Sequence, residues 1–321
     1  MKKAILITLY AVLFSMTAIP SHADTPVHGD GEVQKNSPWS GDFETGIEYD
    51  SNIFQAKNQR ESDLIWISAL YFDYLPEKIR WTGLAVRNQY LDNSELSFSF
   101  FEIGAERFFG SRDYGRFALQ VSPSAPLDKD ESVGPPISLG SIGFYTSYDR
   151  DLKPWWNTGL SISYNRINYN ARFDAKDTNV VKIGFPQFLR LNKIWRFMLD
   201  YAFQTGSART GRVPTLNGTR PDDISFRANI LSLQASYLLN SSTRVRISYR
   251  HRSKTYTTNN IDDLFHIDRK DNNHQVLLGL KHRMNPKVTL RTRVKYLWRD
   301  STDPFVEFDE VTLSVSAAYR F

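Results

Sequence analysis

Val311-Thr-Leu-Ser-Val-Ser-Ala-Ala-Tyr-Arg-Phe321 closes the chain and alternates without interruption. Val311, Leu313, Val315, Ala317, Tyr319 and Phe321 share one face of an extended strand, and Thr312, Ser314, Ser316, Ala318 and Arg320 share the other. Side chains of a strand point to alternate faces, so the segment is apolar on one side and small or polar on the other. A strand with lipid on one side and water on the other carries this pattern.

The strand stops on an aromatic, with a second aromatic two residues earlier. In this it resembles the C-terminal strand by which Gram-negative outer-membrane β-barrels are recognised by their assembly machinery. The resemblance implies that Tyr319 and Phe321 form the assembly signal. The opposite end agrees. Met1-Lys2-Lys3 is basic, Ala4 to about Ile19 is an apolar core, and Ser21-His22-Ala23 is a small-x-small cleavage site. These mark residues 1–23 as a signal peptide, with the mature chain starting at Asp24. The chain contains no cysteine, which excludes disulfides, thiol catalysis and Cys-based metal sites. After the signal peptide no stretch is apolar over the twenty or so residues that a membrane helix needs. A membrane-spanning form must then be a closed barrel, which also satisfies every backbone polar group in lipid.

Composition points the same way. Mean hydropathy is negative, yet 14% of residues are aromatic (21 Phe, 16 Tyr and 7 Trp). A barrel with aromatic girdles and a polar interior needs both properties at once; a soluble secreted β-sandwich is the alternative. The net charge of +5 falls to +3 without Lys2 and Lys3, so no basic exterior for nucleic acid is expected.

Turn residues divide the rest of the chain. Short turns are expected at Pro76–Lys78, Gly110–Asp113, Asp149–Pro154, Leu191–Lys193, Asn240–Thr243 and Met284–Lys287. Longer polar segments alternate with them: Ser51–Ser62, Leu91–Glu95, Pro123–Pro136, Asn168–Asn179, Gly206–Asp223, Thr257–Asn273 and Asp300–Glu307. Thirteen connections imply about fourteen strands, from 42–50 to 308–321. The expected fold is all-β: a transmembrane antiparallel up-and-down barrel over residues 41–321, with short periplasmic turns and long extracellular loops. Residues 24–40 form a flexible periplasmic lead-in, and both termini are periplasmic. Trp81, Trp155, Trp156 and Trp195 follow short turns, at one girdle; Trp66 and Trp298 mark the other.

Once the apolar parity is assigned to lipid, the opposite parity faces the lumen. It carries Arg244, Arg246, Arg250 and Arg252 on one strand, Lys281 and Arg283 on the next, and Arg291, Arg293, Lys295 and Arg299 on a third. Asp42, Glu44, Glu48 and Asp50 on the first strand, Glu102 and Glu106 on the fourth, and Glu310 on the last are expected to face this basic wall across the bore. Such an arrangement sets up a transverse field in a wet lumen; in a narrow lumen the same charges pair and close it.

Three motifs bear on chemistry. His251-Arg-Ser253 resembles the His-x-Ser pair of outer-membrane phospholipases and lipid A deacylases. The resemblance implies a lipid hydrolase in which His251 activates Ser253 and Asn259 or Asn260 orients the imidazole. The Asn-Gly and polar run of those families are missing, so a non-enzymatic barrel is the expectation. Asp262, Asp263 and Asp268 share a long loop and are weighed as calcium ligands against a solvated charged loop, with the loop preferred. No metal or other cofactor is expected. Glu48-Tyr-Asp-Ser-Asn-Ile-Phe54 and Arg269-Lys-Asp271 resemble segments of the fourteen-stranded barrel domain of surface lipoprotein assembly modifiers and related Tyr-Asp-Ser-Asn barrels. That resemblance implies an accessory role in lipoprotein or polysaccharide export. The reading preferred is a porin-like channel for small anionic or zwitterionic solutes. Its expected partners are outer-membrane lipid and lipopolysaccharide, the barrel assembly machinery, and a small solute or exported substrate.

Overall fold

The computed structural model describes residues 38–321 apart from 56, 58–59, 77–78, 129–136 and 216–217. The signal peptide and most of the lead-in lie outside the described residues. The strands are β1 (Trp39–Asp50), β2 (Asp63–Tyr74), β3 (Ile79–Tyr90), β4 (Phe98–Phe109), β5 (Asp113–Asp128), β6 (Ile137–Lys153), β7 (Trp156–Tyr169), β8 (Thr178–Arg190), β9 (Trp195–Ala208), β10 (Gly211–Thr215), β11 (Gly218–Asp222), β12 (Phe226–Asn240), β13 (Thr243–Tyr256), β14 (Lys270–Arg283), β15 (Val288–Ser301) and β16 (Phe308–Arg320). Fourteen of them, all except β10 and β11, form one closed antiparallel barrel in chain order. Closure leaves no unpaired edge, as lipid requires.

The barrel closes between its first and last strands, in a register that runs from Asp42 opposite Arg320 to Asp50 opposite Thr312. The last residue completes the seam: the Phe321 amide donates to the Gly41 carbonyl (3.0 Å), and the Gly41 amide donates to the Phe321 carbonyl (3.3 Å). A Cβ at Gly41 would lie 2.5 Å from the Phe321 ring, so a larger residue there would make the terminal side chain shift.

The alternation of the closing strand is the alternation of exposure. Val311, Leu313, Val315 and Tyr319 are exposed while Glu310, Thr312 and Ala318 are buried. Phe43, Ile47, Leu70, Phe101, Ile103, Phe117, Leu233, Ile247 and Leu278 extend this apolar belt around the wall. At the rim that carries the chain ends, Trp39 stacks on Tyr74 with centroids 4.1 Å apart, and Trp195 packs against Tyr237 at 4.7 Å. Near the opposite, loop-bearing rim, Tyr296 stacks on Trp298 at 5.3 Å. The molecule therefore has the two-girdled transmembrane all-β fold expected from its sequence.

The differences are local. Trp39 and Ser40, assigned to the lead-in, belong to β1. The fifth strand was expected over 115–122 but reaches Asp128, so the β5–β6 hairpin projects beyond the wall. The segment expected as a plain loop at Gly206–Asp223 contains the β10–β11 hairpin. Its Pro214 and Pro221, and its lack of alternation, conceal it from a period-two reading.

This hairpin and a 3-10 turn at Ala171–Lys176 fold in towards the loop rim. Phe173 and Ala175 of the turn and Val213 of the hairpin join one buried cluster with Phe98, Leu139, Ile167, Tyr169, Val180, Phe226 and Ala228 of the wall. Phe98 is on β4 and Phe226 on β12, six steps apart around the fourteen-stranded ring. The cluster follows the inner face of the wall from β4 round to β12, with the turn and the hairpin packed against it as an apolar cap at the loop rim.

Candidate functional site

Strand parity and burial show where the charges lie. On β13, Arg252 and Lys254 are buried while Ile247 and Thr255 are exposed, which puts Arg244, Arg246 and Arg250 on the inner face too. On β15, Leu297 and Arg299 are buried while Leu290, Val294 and Tyr296 are exposed, so Arg291, Arg293 and Lys295 face inward. Glu44, Asp50, Glu102, Glu106 and Glu310 are buried. Glu48 shares the parity of Glu44 and Asp50 on β1. Lys281 shares the inner parity of β14, whereas Arg283 ends that strand exposed at the terminal rim, where it donates to the Ser241 carbonyl (3.3 Å).

The expectation that acids and bases face one another across the bore needs correcting. Closure sets β1 beside β16, and β16 beside β15, so many of the pairs form within the wall. Arg291 pairs with Glu44, which also accepts from Ser316 Oγ (2.6 Å). Lys295 Nζ lies 2.6 Å from Glu310 Oε1, whose carboxylate also accepts from Thr312 Oγ1 and Gln55 Nε2 at 3.1 Å each. Arg320 pairs with Asp42 at 3.0 Å. A second set joins β2 to β5: Arg80 bridges Asp73 (2.8 Å) and Glu106 (3.3 Å), Arg116 pairs with Glu102, and Gln120 donates to Glu102 (2.7 Å). Neighbours on one sheet face are close enough to pair directly, and buried charges require such partners.

The other half of the wall differs. The inner faces of β8, β9, β12 and β13 carry Lys182, Arg190, Arg196, Arg244, Arg246, Arg250, Arg252 and Lys254, with Asp200 as their one carboxylate. Two of these cations contact neutral groups among others: Arg252 donates to Gln204 Oε1 (2.8 Å), and Lys254 Nζ sits 4.4 Å from the Phe226 ring centroid and 3.7 Å from that of Tyr256. On β15, outside this half, Arg299 donates to Asn273 Oδ1 (2.8 Å) and lies over the Phe308 ring. Cation–π contacts of this kind steady a charge without cancelling it. Lys182, Lys254, Asp200, Arg80 and Arg116 were not singled out from the sequence, although the parity of their strands assigns them inward.

The remaining motifs are resolved as follows. His251 and Ser253 are on the outer face. Among the described residues neither hydrogen-bonds to the other, and neither Asn259 nor Asn260 bonds to His251. The His251 Nδ1 has no hydrogen-bond partner. Its ring packs against His274 (4.6 Å), which in turn stacks on Trp298 (4.8 Å) and hydrogen-bonds to Tyr249 Oη (2.9 Å). These rings form an aromatic cluster on the outer face. The Tyr-Asp-Ser-Asn segment is a corner: Asp50 Oδ1 accepts from the Asn52 amide (2.9 Å), and Asn52 Nδ2 donates to the Asp309 carbonyl (2.9 Å). Arg269 and Asp271 form a buried bidentate pair (2.9 and 2.8 Å) where β14 begins. Of the three loop aspartates, Asp262 and Asp268 are exposed, but Asp263 is buried against His266. Burial pushes the His266 imidazole below its ordinary value, against the pull of Asp263 and Asp222. A cleft of about 330 Å³ lined by Arg166, Asn179, Ser207 and Arg209 lies at the loop rim, on the outward parity of β7, β8 and β9, and so outside the bore.

These features invite comparison with membrane channels. The chain is similar to the monoaromatic hydrocarbon channel CymD (9% identity, 90% of each chain covered, TM-score 0.52). It is similar to the toluene transporter TodX of P. putida (9% identity, 88% of this chain and 90% of that one, TM-score 0.50). It is also similar to the outer membrane channel DcaP of Acinetobacter baumannii (9% identity, 88% of this chain and 96% of that one, TM-score 0.50). The chain has the fold of outer-membrane channel barrels. At this identity the likeness is one of fold. No family model matches the chain, and no curated protein does.

Proposed function

We propose that this protein is a non-enzymatic outer-membrane channel that passes small anionic or zwitterionic solutes. The short-turn rim and both chain ends would lie in the periplasm, and the capped rim outside the cell. The observation that carries the reading is the imbalance of the lumen: eight basic inner-face residues against one carboxylate on β8, β9, β12 and β13. Low-dielectric walls focus the field of such a surface and raise the local concentration of anions. On this reading the outer partners are membrane lipid and lipopolysaccharide, and Tyr319 and Phe321 address the chain to the assembly machinery.

On this reading the apolar cap at the loop rim acts as a gate, and solute passage is eased when the β10–β11 hairpin moves away from the wall cluster that its Val213 joins. Single-channel recording in planar bilayers tests the proposal. The wild type should conduct weakly, and replacing residues 211–222 with a short Gly-Ser linker should raise the conductance severalfold. Barrels that stay silent with the hairpin removed would favour the accessory role in lipoprotein or polysaccharide export.

A further inference from the structure

The most unusual polar cluster outside the lumen joins the two long loops of the capped rim. Asp222 ends β11; Asp263 and His266 lie in the β13–β14 loop. One ligand atom from each residue lies within 4.8 Å of the other two, and all three residues are buried. His266 Nδ1 is 3.0 Å from Asp263 Oδ1 and 3.2 Å from Asp222 Oδ1. The Asp222 side chain has no exposed surface, and its Oδ1 has no hydrogen-bond partner. Lys176 pairs with Oδ2, which leaves Oδ1 aimed at the imidazole.

We propose that Asp222 Oδ1, Asp263 Oδ1 and His266 Nδ1 are three ligands of a divalent transition-metal ion, with Zn²⁺ the best match, which ties the β10–β11 hairpin to the β13–β14 loop. The chemistry fits in three ways. Ligand atoms about 2.0–2.1 Å from a tetrahedral Zn²⁺ stand about 3.3 Å apart, close to the spacings found here. An imidazole with two carboxylates suits a borderline cation better than Ca²⁺, which takes six to eight oxygens. Two buried carboxylates against one ammonium leave one net negative charge, which favours a bound cation.

The surroundings are built to hold the ligands in place. Asp263 Oδ2 accepts from the Asp223 amide (2.7 Å), which leaves Oδ1 for the ion. The Asp263 carbonyl accepts from the His266 and Ile267 amides (3.1 and 3.0 Å), closing a tight turn that carries both loop ligands. The Tyr256 ring packs on the imidazole at 4.8 Å. The site stands whether or not the barrel conducts, because binding is measured without conductance.

The test uses full-length mature protein, refolded in detergent, checked by its heat-modifiable gel shift and stripped with EDTA. Zn²⁺ titration against a chromogenic chelator should show one ion per chain. His266→Ala and Asp222→Asn should each weaken binding about tenfold or more, since even losing a supporting group around a metal ligand costs ten- to a hundredfold. The exposed Asp262→Asn, in the same loop, should bind like the wild type. Co²⁺ should give the strong visible absorption of a four-coordinate site in the wild type and lose it in His266→Ala. Protease should cut the 257–269 loop of the wild type several times faster after chelation. A correctly folded wild type that takes up no Zn²⁺, or a His266→Ala variant that binds it equally well, would overturn the proposal.

Discussion

The two halves of the barrel wall solve the problem of inward charge in different ways. Around β15, β16 and β1, as around β2 to β5, most of the carboxylates described above pair with a cation one or two strands away; Lys295–Glu310, Arg291–Glu44 and Arg80–Asp73 are examples. Around β8 to β13 the inner faces carry eight cations and one carboxylate, and Arg252 and Lys254 also contact the neutral Gln204, Phe226 and Tyr256. The first half uses its charges to fix strands to one another. The second keeps a surplus of positive charge facing the bore. A count of inward charges over the whole lumen does not separate these roles; the count strand by strand does.

The sharpest way to break this comparison is to remove a carboxylate from the paired half. Glu310→Ala should destabilise the refolded barrel by roughly 3 kcal/mol, because it strands Lys295 in the wall. Adding Lys295→Met should recover much of that loss, measured by urea unfolding in detergent. If the double variant is no better than the single, the pair does not fix β15 to β16 as described.

The next effect comes from the lipid face. Val294→Arg places a charge in the apolar belt between two inward cations and should cost about 2–4 kcal/mol if it lies near the bilayer midplane. Normal yield and an unchanged gel shift would mean that the parity of β15 has been read on the wrong face.

A smaller loss is expected at the loop rim. Asp63 accepts from the amides of Leu91 (3.2 Å), Asp92 (3.1 Å) and Asn93 (2.9 Å), and so pins the β3–β4 connection. Asp63→Ala should cost about 1–2 kcal/mol and remove the side-chain acceptor of the Asp92 and Asn93 amides, while the Leu91 amide keeps the Leu64 carbonyl (2.9 Å). Hydrogen exchange should speed up at residues 92–93 and stay unchanged at the β1–β16 seam.

The barrel and its inward parity were legible in the sequence because period-two alternation and turn chemistry are local. Val311 to Phe321 alone shows which face meets lipid. The seam was legible in principle, since an up-and-down barrel must pair its first strand with its last, and that places Glu44 near Arg291. The cap was not legible. Gly211–Thr215 and Gly218–Asp222 carry prolines and no alternation, and nothing local says that Val213 will meet Phe173 and Ile167. The Asp222–His266 contact joins two loops with β12 and β13 between them, and no spacing rule finds such a pair.

The central claim is that the β8–β13 half, and not the ion-paired half, sets the preference of the lumen for anions. The most direct test is the reversal potential in a KCl gradient for the channel lacking residues 211–222, alone and with Arg250→Glu. The parent should favour chloride, and Arg250→Glu should move the potential towards the potassium limit while Arg320→Gln, which disrupts the Asp42 pair at the terminal rim, leaves it nearly unchanged. A potential that ignores Arg250→Glu, or that responds more to Arg320→Gln, would contradict the account.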